Sequence, residues 1–213
     1  TRVKAAMPWG GAEEVTFECE PGTLQRHKLE TLKEMGVTRL SLGIENFDAK
    51  ILEYNGRAHL EEEIHRAYGW AREIGFTQIN IDLIAGMAGE SWDNWRECVR
   101  KTLALAPESV TIYQMELPYN TVFSKELKMV GDADPMPVAD WPTKRAWVEY
   151  AYETMQAAGY RVSSGYTLKR DDSVKFVYRD ALWHGADMFG TGVASFGHLN
   201  GVHVQNLDQW DDW

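Results

Sequence analysis

The chain has 213 residues, 44% hydrophobic and 25% charged, enough to bury one sizeable core and part of a second. Its formal net charge is -10 with Lys and Arg scattered rather than clustered, which argues against nucleic acid as a ligand because a phosphate backbone would be repelled over most of the surface. No run approaches the roughly 20 apolar residues of a membrane span, and the two cysteines, Cys19 and Cys98, are too few for a disulfide framework and fit an expected cytoplasmic location.

Val15-Thr16-Phe17-Glu18 reads as a first strand, followed by a helix carrying Leu24, Leu29, Leu32 and Met35 near one stripe and stopped by Gly36. Arg39-Leu40-Ser41-Leu42-Gly43 is the second strand, with helices through Ile51-Leu52 and from Ile64 to Ile74 behind it and Gly75 as terminator. Gln78 to Ile84 is the third, and Ser91 N-caps a helix through Trp95, Val99 and Leu103. Ser109 to Tyr113 is the fourth, ending near Pro118. Repeated βα units predict a parallel sheet with outer helices, an α/β fold.

Residues 131–142 hold three of the seven prolines and read as a connector. A helix from Thr143 to about Ala158 is expected next, then β-like runs from Tyr160 to Leu168 and from Val174 to Tyr178, and a glycine-rich stretch from Gly190 to Gly197. The expected division is a partial barrel over 1–130 and a smaller α+β region over 131–213. Thr1 in place of an initiator Met, and a closing Trp210-Asp211-Asp212-Trp213 that looks like a first helical turn, give the expectation of an internal fragment.

In parallel α/β barrels functional groups sit where strands end at their C-terminal side. That places Glu18, Glu45, Asp82 and Glu116 as candidates beside the reading that each is a solvated loop residue. Asp82 interrupts the apolar run Ile79, Ile81, Leu83, Ile84 and needs a partner if buried. Gly86-Met87-Ala88-Gly89 before the Ser91 helix serves either a ligand approached by backbone or a tight turn.

Glu18-Cys19-Glu20-Pro21, Gly36 to Gly43, Asn55-Gly56-Arg57-Ala58-His59 and Asn80 to Gly86 together resemble, in order and spacing, the radical S-adenosylmethionine (SAM) group of oxygen-independent coproporphyrinogen III oxidases. That group includes haem chaperones, haem-degrading relatives and methyltransferases. The resemblance continues through Val110 to Gln114, Gly190-Thr191-Gly192 and Gln205-Asn206. It implies a partial (βα) barrel of the radical SAM type lacking its first units. The implied parent uses SAM and a 4Fe-4S cluster to generate a 5′-deoxyadenosyl radical and acts on a tetrapyrrole or another small molecule. An electron donor such as flavodoxin or ferredoxin is implied as well.

The C-x3-C-x2-C cluster motif of such proteins is absent, and Cys19 and Cys98 do not replace it, since cluster ligation needs thiolates converging on one centre. The resemblance assigns the methionyl carboxylate to Arg57, the aminoacyl or ribose portion to Glu18 and the ribose hydroxyls to Glu45 and Asp82, with Met115 completing the cofactor-binding set. Glu45 departs from the pattern, which has Gln more often; a carboxylate accepts from a hydroxyl but cannot donate. Arg57 also has the reading of a surface ion pair with a neighbour such as Glu61, and His59 has two readings, a group that supports the ligand-contacting residues from behind or a helix-entry residue. The H-N-x-x-Y-W motif of haem chaperones survives only as Trp183 in Tyr178-Arg179-Asp180-Ala181-Leu182-Trp183, leaving His184, His198 and His203 as other axial-ligand candidates. Three parent functions remain open: oxidative decarboxylation of coproporphyrinogen III propionates, haem chaperoning, and methyl transfer. Without the cluster ligands the chain by itself is expected to be inactive.

Overall fold

The computed structural model describes residues 2–6, 8–117 and 138–212. A short helix, α1 (Arg2–Ala6), precedes four strands, β1 (Thr16–Cys19), β2 (Arg39–Glu45), β3 (Gln78–Ala85) and β4 (Ser109–Gln114), which pair in parallel and in chain order. Between them lie α2 (Arg26–Glu34), then α3 (Ala49–Tyr54) and α4 (Glu61–Ile74), then α5 (Trp92–Leu105). Two compact units divide the chain, Val15–Val174 and a smaller one of Thr1–Glu14 with Lys175–Trp213. The larger unit crosses the expected boundary at 130/131.

The period of two along each strand sorts the sheet into two faces. Leu40 lies beside Ile79, Leu42 beside Ile81, Ile81 beside Val110 and Leu83 beside Ile112, and all are buried. Burying each such side chain contributes about 1.5–3 kcal/mol. Against this face pack Ile64, Ala67 and Ala71 of α4 and Trp95, Cys98 and Val99 of α5. The opposite parity is polar: Glu18 pairs with Ser41, Ser41 with Asn80, and Asn80 with Ser109.

Ser91 caps α5 as expected, its hydroxyl accepting from the Asn94 N–H at 3.3 Å. Helix α6 (Trp141–Ala157) begins two residues earlier than expected because the Asp140 carboxylate accepts from the Thr143 N–H at 2.9 Å and Pro142 suits the first turn. Trp95 and Trp147 stack with centroids 6.4 Å apart, and the Trp95 indole donates to the Trp147 carbonyl at 2.7 Å, fixing α6 on α5. The rest of the connector expected up to Pro142 lies mostly outside the described residues.

The run expected from Tyr160 to Leu168 is not one strand. It is a hairpin of β5 (Arg161–Val162) and β6 (Thr167–Lys169), and β6 pairs antiparallel with β4, giving the sheet order β1-β2-β3-β4-β6-β5. The break is a turn in which the Ser163 and Ser164 N–H groups both donate to the Thr167 carbonyl.

The β-like reading of 174–178 is corrected. Those residues lead into a helix, α7 (Val177–Trp183), whose first N–H groups, those of Val177 and Tyr178, donate to the Glu14 carboxylate at 3.2 and 3.4 Å. The hairpin of β7 (Phe196–Leu199) and β8 (Val202–Gln205) turns through Asn200 (φ 50°) and Gly201 (φ 78°), the Asn-Gly signature of a two-residue turn with both residues left-handed. Trp210–Asp212 forms a short 3-10 turn.

Candidate functional site

The polar face is held by a side-chain network. Ser41 Oγ donates to Asp82 Oδ2 at 2.7 Å, while Asn80 Nδ2 donates to Ser41 Oγ at 2.9 Å and to Asp82 Oδ1 at 2.8 Å. Ser109 and Thr111 hydroxyls donate to Asn80 Oδ1 at 2.8 and 3.1 Å. The partner that Asp82 needs is therefore a pair of donors one row down the sheet. Burial pushes its carboxyl up, opposed by the Ser41 hydrogen bond, Arg39 and the Asn80 hydrogen bond, and reinforced by Glu18. The same two carboxylates, after burial, raise the Tyr113 hydroxyl.

At the end of β2 the register shifts between Gly43 and Glu45, and Glu45 adopts φ 64°, a left-handed conformation that costs a non-glycine residue roughly 1–2 kcal/mol. Glu45 is buried, one carboxylate oxygen paired with Arg57 and the other, Oε2, without a hydrogen-bond partner. Desolvation raises its carboxyl above the usual range, Arg57 opposes this, and Asp82 and Glu20 add to it. The Arg57 side chain keeps two-fifths of its surface in solvent. The Glu61 pairing considered for Arg57 does not form, because Lys101 takes Glu61 at 2.6 Å.

Glu18, on β1, is exposed and Glu116 is exposed beyond β4. Met115 continues β4 through its N–H, donated to the Ala85 carbonyl at 2.8 Å, and its own carbonyl accepts from the ammonium of buried Lys144 at 2.7 Å. Lys144 also fills the space over Gly86: a Cβ there would meet its side chain at 2.6 Å, and Gly86 has φ 95°. The Gly86 turn is thus a close approach to a helix side chain rather than an open cradle. Lys144 and Glu90, which accepts from the Gly86 N–H at 2.5 Å, were not singled out by the sequence. The signal for Glu90 is its place between Gly89 and the capping Ser91.

No cluster fits these residues. Burial pushes the Cys19 and Cys98 thiols up to about 12, Cys19 lies on β1 and Cys98 inside α5, and among the described residues no three His, Cys, Asp or Glu side chains gather as a metal site. His184, His198 and His203 belong to the smaller unit. His184 Nδ1 sits 2.6 Å from the Asp180 carbonyl, and His198 faces His203 across β7 and β8 with ring centroids 6.4 Å apart. Among the described residues no helix is long and apolar enough to cross a membrane.

Residues 10–102 match the Radical SAM superfamily. The chain is 28% identical over 207 residues to the haem chaperone HemW of Bacillus subtilis (strain 168), covering 96% of this chain and 52% of that protein. It is 25% identical over 208 residues to the oxygen-independent coproporphyrinogen III oxidase of Escherichia coli (strain K12), covering 91% of this chain and 44% of that enzyme. The solved coproporphyrinogen III oxidase (HemN) from Escherichia coli, a radical SAM enzyme, shares the fold with TM-score 0.79 at 22% identity over 94% of this chain and 48% of that one. The chain spans about half the length of the curated relatives it matches.

Proposed function

We propose, from the premise that this chain carries a radical SAM segment and is homologous to haem chaperones and oxygen-independent coproporphyrinogen III oxidases, that it is the SAM-recognising part of such a protein. The observation that carries the reading is Glu45: a carboxylate buried at a strand end, with one oxygen on Arg57 and the other lacking a donor. An orphaned buried acceptor costs about 1–3 kcal/mol, a cost that a ligand hydroxyl removes. Glu45 and Asp82 would accept from ribose hydroxyls and Glu18 would face the aminoacyl or ribose portion. Arg57, still partly in solvent, would take the methionyl carboxylate on its fork, and the main chain at Met115 would close the site. When bound, SAM supplies a carbon–sulfur bond whose cleavage starts radical chemistry. These residues bind and orient it, and they do not hold the cluster.

For the parent protein, the names of the relatives support a tetrapyrrole ligand. Our reading is oxidative decarboxylation of coproporphyrinogen III, in the cytoplasm and with an electron donor of the flavodoxin or ferredoxin type. The second reading, a haem chaperone, is favoured by the similarity to HemW. Methyl transfer is the third.

The test is calorimetric titration of SAM and of 5′-methylthioadenosine, which lacks the amino-acid carboxylate, into the chain and its variants. Arg57→Ala is expected to weaken SAM roughly ten- to a hundredfold, the value of a charge-assisted fork, and to leave methylthioadenosine unchanged. Glu45→Ala should weaken both. Equal SAM binding by wild type and Arg57→Ala would refute the assignment.

A further inference from the structure

Glu45 needs an external restraint, since nothing in a Glu side chain favours φ 64°. The restraints converge on the residues to either side of it. The Ile44 carbonyl accepts from the Asn46 N–H at 2.7 Å and lies 2.9 Å from His59 Nε2, which must carry the ring hydrogen there because a carbonyl only accepts. Asn46 is fully buried and uses its whole amide. Its Oδ1 accepts from the Phe47 and Asp48 N–H groups at 2.8 and 2.9 Å, and its Nδ2 donates to Glu90 Oε1 at 2.9 Å and Asn94 Oδ1 at 3.0 Å.

His59 is itself immobilised. Its ring has no exposed surface, and Gly22 approaches so closely that a Cβ there would stand 2.9 Å from His59 Cβ. Its Nδ1 faces Glu20 Oε1 at 3.6 Å, outside hydrogen-bond reach, which leaves Nε2 as the working nitrogen. His59 also stands two residues beyond Arg57, so the segment that supplies the cation is pinned to the backbone that supplies its carboxylate.

We propose that His59 and Asn46 are positioning residues that hold Glu45 in its left-handed conformation and so aim its free carboxylate oxygen and Arg57 at one ligand. The proposal deepens the reading of the rim as a SAM site and rests on it for the identity of the ligand, while the backbone role stands on the hydrogen bonds alone. A residue that only filled the core would be replaceable by any side chain of its volume. A positioning residue is replaceable only by one that restores the donor.

The experiment compares His59→Gln, whose amide can donate to Ile44, with His59→Leu, which fills similar space without a donor, and adds Asn46→Ala as an independent break. The first readout is the carbon-13 titration of the Glu45 carboxyl, whose close charged neighbours are Arg57, Asp82 and Glu20. Wild type and His59→Gln should titrate above the ordinary carboxylate range. His59→Leu and Asn46→Ala should fall back toward it as Glu45 relaxes into water.

The second readout is SAM affinity by calorimetry, expected to drop about tenfold or more in His59→Leu and Asn46→Ala, a loss comparable to one charged hydrogen bond, and to stay near wild type in His59→Gln. If His59→Leu does not fold, the Asn46→Ala titration decides. An unshifted Glu45 titration in folded His59→Leu or Asn46→Ala would overturn the proposal. If wild type binds no SAM, the ligand reading fails while the titration still decides the backbone role.

Discussion

Arg57→Ala tests the Glu45 pair without any ligand. The substitution leaves a carboxylate whose side chain is only 8% exposed facing no cation, while the departing guanidinium was 40% exposed. Breaking a fully buried pair costs about 3–5 kcal/mol and an exposed one about 0–1, so a pair buried at one end falls near 2 kcal/mol. For a chain of this size that is a fall of about 4–8 °C in the unfolding midpoint.

The sign with pH follows from linkage. The folded-state carboxyl of Glu45 already lies above its ordinary value of 4.5 and rises further once Arg57 is gone. Below that ordinary value Glu45 is neutral in both states and the variant should match wild type. As pH rises through the folded-state value, ionisation is more costly in the folded protein and the gap should open, reaching its full size near neutrality. Circular-dichroism melts from about pH 4 to 8 read the gap, and adding Glu45→Gln to Arg57→Ala should close most of it. A gap independent of pH, or one that Glu45→Gln leaves open, would refute the reasoning.

Gly86→Ala should destabilise by about 2 kcal/mol or more through its left-handed φ and the Lys144 contact at 2.6 Å, and Lys144→Ala should relieve part of that loss in a thermal melt. Glu108, just before β4, is buried and holds Arg72, Arg170 and the Ile79 N–H, so Glu108→Ala should cost about 3 kcal/mol in urea unfolding while leaving adenosyl-ligand affinity unchanged. Burial pushes the Glu90 carboxyl up to about 8 despite its donors at Gly86, Met87 and Asn46. Its ionisation therefore removes stability as pH climbs from its ordinary range to about 8. Glu90→Gln should be destabilising at pH 4, where its amide NH2 faces donors, and progressively less so toward pH 8, read by the same melts.

The sequence by itself determined the alternation of strands and helices from β1 to α5 and the placement of Glu18 and Glu45 near the ends of β1 and β2, whereas Asp82, expected at a strand end, lies inside β3 with the ladder continuing to Ala85. Both are local: the period of two in Leu40-Ser41-Leu42 and Ile79-Asn80-Ile81 leaves one apolar face, and helices must cover it. The Asn200-Gly201 hairpin was not among the expected elements, although that dipeptide favours the left-handed pair its turn requires. Tertiary structure alone decided that β6 pairs with β4, because strands as short as β5 and β6 gain their hydrogen bonds only from a neighbour distant in sequence. It alone gave Arg57 to Glu45 rather than Glu61, as Lys101 had taken Glu61 from another helix. The conformation of Glu45 belongs to the same class. A left-handed glutamate is disfavoured by its own sterics and persists here because Asn46 donates to Glu90 and Asn94 and His59 donates to the Ile44 carbonyl, groups that meet only once the sheet and its helices have assembled.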